Sequence, residues 1–193
     1  MKKKMLISLL NWNSSNGLKG YDPYDIVSLN RFTRSLMIDF KKLSFFKKII
    51  RFSIESLSLK FPMLIRKLLF IKKKVHPTYL GCMMHTYILL SKQDQNKYSF
   101  EINQYRSELI KIRSKMSNYY AWGVPFTWLS GGIEMKEGTP FAVTANWIGS
   151  AFIELYKLRG NNEDLEIAVS LCEFILNDLH RTQFDDGTIC FSY

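Results

Sequence analysis

A chain of 193 residues that is 47% hydrophobic and 15% aromatic can bury a sizeable core, which excludes a disordered polyelectrolyte. Its net charge of +10 is concentrated, with six basic and three acidic residues in 1–40, eleven and one in 41–74, and ten and thirteen in 75–193. No nucleic-acid recognition module accompanies that charge, and no P-loop, Gly-rich dinucleotide turn, Ser/His/Asp set or HExxH motif is present.

Residues 1–24 read as irregular. A basic end and a short apolar stretch open the chain, but Asn11, Asn13 and Ser14 interrupt it too early for a secretory leader. No apolar run approaches the roughly 18 residues of a spanning helix. Three cysteines, Cys82, Cys172 and Cys190, are an odd number without metal-site spacing and suit a reducing compartment. The expected setting is the cytoplasm, and a peripheral position at the inner membrane stays open.

A first helix is predicted from Tyr24 or Asp25, where Asp22 caps and Pro23 fits the first turn, to about Lys42. A second covers Ser44 to Lys60, and Pro62 opens a shorter piece ending in the lysine run 72–74. Between 41 and 74, Lys41, Lys42, Lys47, Lys48, Arg51, Lys60, Arg66, Lys67 and Lys72 to Lys74 interleave with Phe, Ile and Leu. Two readings stay open: outer helices with solvated lysines, or a surface that lies on an anionic membrane or an acidic partner.

Two helical hairpins follow, at 76–116 and 139–179. Their second helices, Ser99 to Met116 and Glu163 to Leu179, align at an offset of 63, with Ile102, Tyr105, Leu109, Ile112 and Met116 matching Leu165, Ala168, Cys172, Ile175 and Leu179. Their first helices, His76 to Lys92 and Thr139 to Leu158, each open with a proline, Pro77 or Pro140, and Thr139 is the expected cap. The 22-residue connection 117–138 holds four glycines, a proline and five aromatics, and long loops of this kind are often functional. After Arg181 the chain turns at Asp186-Gly187 and stops at what reads as the approach to another helix. The expected fold is all-α, with an irregular segment 1–24 and tandem hairpins in 25–193.

GYDPYD at 20–25, Pro62 to Leu69 followed by lysines and His76-Pro77, WGVPFTW at 122–128, GTPFAVTANWIGSAFIELYKLRGN at 138–161 and CEFILNDLHR at 172–181 together resemble a bacterial family of α/α-toroid proteins. That family is similar in fold to six-hairpin glycosidases and is associated with capsule, lipopolysaccharide and other surface-polysaccharide synthesis. The resemblance spans Gly20 to Tyr193 and about the N-terminal half of the family's toroid. It implies an incomplete (α/α) toroid that binds or processes a glycan or glycolipid in its cleft. A membrane-peripheral scaffold for glycosyltransferases, with a protein partner covering the open toroid, and a non-functional fragment of a longer toroid protein are the alternatives. Members often carry the label delta-aminolevulinic acid dehydratase, but that chemistry uses Schiff-base lysines in a TIM barrel, and this chain has no alternating strands and helices. The family's loop reads W-G-x-P-F-D-W-Q, whereas Thr127 and Leu129 stand here where Asp and Gln are usual, which removes a carboxylate.

Sugar sites combine aromatic faces with carboxylates. Trp122, Phe126 and Trp128, with Tyr119 and Tyr120, are candidate platforms or core that plugs the mouth of the incomplete barrel. Asp22 and Asp25 are the candidate acid and base, or helix caps. Asp185 and Asp186 are candidate sugar ligands or turn formers, and Asn146 and Trp147 face either a cleft or a core. His76, His85 and His180 share no metal-site spacing, and neither a metal nor a cofactor is expected.

Overall fold

The computed structural model describes residues 2–28, 31–37, 43–92, 97–130 and 133–191. They are mostly helical, and their strands form only two-stranded antiparallel ribbons. The chain divides into two compact units, 1–75 with 126–137 and 76–125 with 138–193.

The first unit holds helices α1 (Lys2–Asn16), α2 (Asp25–Ser28), α3 (Arg31–Met37), α4 (Phe45–Lys60) and α5 (Pro62–Leu68). Strands β1 (Lys19–Gly20) and β2 (Lys74–Val75) pair in it, as do β3 (Trp128–Ser130) and β4 (Ile133–Met135). The expected irregular start is instead the helix α1. Its polar residues are accommodated by back-bonding, the Ser14 hydroxyl and the Asn16 amide donating to the carbonyls of Leu10 and Trp12 one turn back. The predicted helix to Lys42 is realised as the short α2 and α3, and its predicted end lies outside the described residues. Ile26, Leu36, Ile71 and Phe126 are buried, and the buried Thr33 hydroxyl donates to the Ile26 carbonyl at 2.7 Å.

α5 stops at Leu68, short of the lysine run, through a Schellman ending. The Ile71 N–H donates to the Arg66 carbonyl at 2.9 Å and the Phe70 N–H to the Lys67 carbonyl at 3.2 Å, with Phe70 at φ 54°. Glycine usually takes that left-handed position; here it is a phenylalanine.

The second unit is built from α6 (Pro77–Ser91), α7 (Ser99–Lys111), α8 (Ala142–Arg159) and α9 (Asn162–Asn177), with a terminal ribbon of β5 (Arg181–Gln183) and β6 (Ile189–Phe191). α6 packs on α7, α8 on α9, and the two first helices, α6 and α8, on each other. The buried faces correct the repeat. Leu80, Gly81, Met84, Tyr87, Ile88 and Ser91 of α6 match Thr144, Ala145, Ile148, Ala151, Phe152 and Leu155 of α8 at an offset of 64. Ile102, Tyr105 and Leu109 of α7 match Asp164, Ile167 and Leu171 of α9 at 62. A single offset of 63 puts Cys172, which is exposed, opposite buried Leu109. The connection inside the second hairpin is two residues shorter relative to the buried register, and that splits the offset.

Pro77 occupies the first turn of α6 as expected. Pro140 does not do so in α8, because it bridges to Gly123 and the helix starts two residues later behind Phe141. Thr139 is not a cap either; its hydroxyl lies 3.7 Å from the Met116 sulfur. Gly160 at φ 68° ends α8, and the Asn161 side chain then accepts the Glu163 N–H to start α9. Arg106 joins the two second helices, donating to Asp164 Oδ1 and Glu163 Oε2 at 2.6 Å each.

Candidate functional site

The GYDPYD segment folds on itself before α2. Asp22 Oδ1 accepts the Tyr24 N–H at 2.8 Å, and Asp25 Oδ2 accepts the Asp22 N–H at 3.1 Å. Both carboxylate oxygens of Asp25 lie 3.0 Å from Arg66 Nε, while Arg66 Nη2 donates to the Asp22 carbonyl. The Arg66 guanidinium also sits 4.8 Å above the Tyr21 ring. Burial pushes the Asp25 carboxyl above its ordinary value, and the Arg66 hydrogen bond pulls against that shift.

In this geometry both candidate catalytic carboxylates hold the turn. Asp25 is 2% exposed and clamped to a guanidinium, so it has no face for a substrate. Asp22 orders the turn through its side chain and backbone. Together they hold Pro23-Tyr24 in place, and Tyr24 emerges 53% exposed.

Opposite that turn stands β3. The Tyr24 and Trp128 rings meet edge to face, centroids 4.7 Å apart and planes at 84°. Phe126 lies 6.2 Å behind Trp128 and is buried, so it supports the pair rather than extending it. The β3–β4 ribbon that carries Trp128 is secured at its far side by Lys74 Nζ on Glu137 Oε1 at 2.6 Å. The result is an aromatic corner, two ring faces at right angles and partly open to solvent, with no ionised side chain in the stack.

The other candidates separate. Trp122 is fully buried in the second unit, where its indole N–H donates to the Leu109 carbonyl at 2.7 Å and its ring stacks on Phe152 at 6.2 Å. It is core and offers no face to a ligand. Tyr120 sits under Arg113, its backbone N–H donating to the Ser170 hydroxyl, and the Tyr119 hydroxyl accepts from Asn177. Asn146 and Trp147 are exposed on α8. Asp186 Oδ1 accepts both the N–H and the hydroxyl of Thr188, which holds its carboxyl below the usual value and makes it a turn former; Asp185 beside it is exposed. Among the described residues no group of three His, Cys, Asp or Glu is placed to hold a metal.

Tyr24 of the corner, and Tyr21 and Arg66 that hold the turn behind it, are residues that sequence reasoning did not single out as a site. Tyr24 had a local signal, an aromatic between two capping carboxylates. Arg66 had none, because its partner is 41 positions away. No family model, curated protein or solved structure matches the chain.

Proposed function

We propose that the protein serves surface-polysaccharide biosynthesis by binding a glycan or glycolipid intermediate at the Tyr24–Trp128 corner, on the cytoplasmic side of the membrane. The corner carries this reading. Ring faces of tyrosine and tryptophan match the apolar faces of sugar rings, and a right-angled pair holds a sugar from two sides. The same observations favour binding over hydrolysis, which needs two available carboxylates about 5 to 9.5 Å apart; Asp22 and Asp25 are both engaged in holding the turn. The incomplete α/α toroid is the architecture proposed for it, supported by hairpins whose first helices pack against each other as inner helices of a toroid would.

Intrinsic tryptophan fluorescence, titrated with neutral, acidic and amino-sugar oligosaccharides, tests the proposal. A saturable change for at least one sugar class is expected. It should weaken about 5- to 10-fold in Trp128→Ala and in Tyr24→Ala, since losing one aromatic contact removes about 1 kcal/mol. Trp147→Ala should bind as the parent does. No binding across the panel, or unchanged affinity in both corner variants, overturns the reading.

A further inference from the structure

We infer that α4 and the end of α5 form a docking surface for an anionic phospholipid bilayer, separate from the aromatic corner. α4 has no buried residue. At spacings of three, four and seven, Phe45, Ile49, Phe52 and Leu59 share one side of the helix and are 79%, 47%, 71% and 87% exposed. The less exposed side carries Ile50 and Ile54, and there Arg51 reaches the Leu36 carbonyl as well as Glu55. The helix thus rests on its own unit by one side and presents four large apolar side chains to solvent by another.

Phe70 is an independent sign of the same use. It is 88% exposed and stands at φ 54°, a conformation that L side chains adopt at a cost and that glycine would fill without strain. Its neighbours explain how it is held: Arg66 is locked on Asp25, and Ile71 is buried. The chain turns between these two anchors and thrusts the phenylalanine outward. Among the described residues little packs on that aromatic, which is 88% exposed. Insertion into the boundary between headgroups and acyl chains would bury it.

Charge selects the occupant. Between 45 and 73 the chain carries Lys47, Lys48, Lys60, Lys67, Lys72 and Lys73, besides Arg51 and Arg66, against the single acid Glu55, which is paired with Arg51. At helical spacing Lys48 and Lys60 flank the apolar side of α4, and lysines beside apolar side chains complement a surface of lipid phosphates. An apolar partner protein has no need of that excess. Lys41 and Lys42, which belong to the same run of charge, lie outside the described residues.

Co-sedimentation of the full chain with vesicles of phosphatidylcholine alone and with about 30% phosphatidylglycerol tests the inference. Binding is expected only to the anionic vesicles and should fall as salt is raised, because screening acts within roughly 8 to 10 Å. Charge reversal at Lys47, Lys48, Lys72 and Lys73 to Glu should reduce partitioning at least about tenfold, as should the pair Phe45→Ser and Phe52→Ser. Phe70→Gly relieves the left-handed backbone and should bind more weakly while melting at the same or a higher temperature. Equal pelleting with neutral and anionic vesicles overturns the proposal, and so does undiminished binding in the variants. Self-association in ultracentrifugation that the Phe→Ser pair abolishes, without vesicle binding, would assign the surface to a second copy instead.

Discussion

Asp164 is fully buried, and one of its oxygens, Oδ1, is held by Arg106 at 2.6 Å, while its Oδ2 has no hydrogen-bond partner among the described residues. Arg106 answers from the other hairpin, and its two carboxylate partners outweigh its own burial and raise its pKa. Arg106→Met therefore strands a buried charge and should destabilise the protein by about 3–5 kcal/mol. Arg106→Met combined with Asp164→Leu should recover most of that loss, because it removes the charge as well as its partner. Urea denaturation of both variants is the measurement, and equal losses in the two would show that the ion pair is not the reason. The pair also shows what local reading can see. Glu163 and Asp164 were legible as acids suited to a helix start, whereas Arg106 lies 58 positions away and gives no local signal of its role. Asp25 and Arg66 repeat the lesson. The carboxylate drew attention as a possible acid or base, and only the distant guanidinium shows it to be a structural clamp.

Helices and their periodicity were the most legible level. α6, α8 and α9 lie close to their expected bounds because apolar spacing, a first-turn proline and a glycine stop are local properties. Caps were less so: Thr139 and Pro140 carry start signals, yet a bridge to Gly123 draws Pro140 out of the helix. Two helical glycines give the α6–α8–α9 stack a sharp test. A Cβ at Gly81 would meet Ile148 Cγ1 at 2.9 Å and its Cα at 3.3 Å, so α8 approaches α6 over that glycine. A Cβ at Gly149 meets only Leu171 Cδ1, at 3.4 Å. Gly81→Ala should thus destabilise by about 1–3 kcal/mol through overpacking. Gly149→Ala should be neutral or stabilising by up to about 1 kcal/mol through helix propensity. Thermal denaturation of the two variants separates them, and the opposite order would contradict the helix contact described.

At the scale of the whole chain, sequence reading missed the division into two units. Periodicity reports which residues face a core, not to which core a loop returns, and 126–137 sits in the middle of what reads as a single connection. Its ends are close, because the Gly138 N–H donates to the Val124 carbonyl at 3.0 Å. Residues 76–193 with 126–137 replaced by a short glycine linker should therefore fold alone, with helical circular dichroism and a cooperative melt, since every helix pairing of that unit is retained. A molten, non-cooperative product would show that the second unit depends on the first.

The same interleaving sets a clock on synthesis. Residues 1–75 leave the ribosome before the segment 126–137, with Phe126 and Trp128, exists. At about 5–20 residues per second, the stretch between Val75 and Phe126 corresponds to roughly 3–10 s. For that interval the nascent first unit is an unfinished body with α4's phenylalanines already made, and its exposed apolar side chains precede the aromatic corner in synthesis.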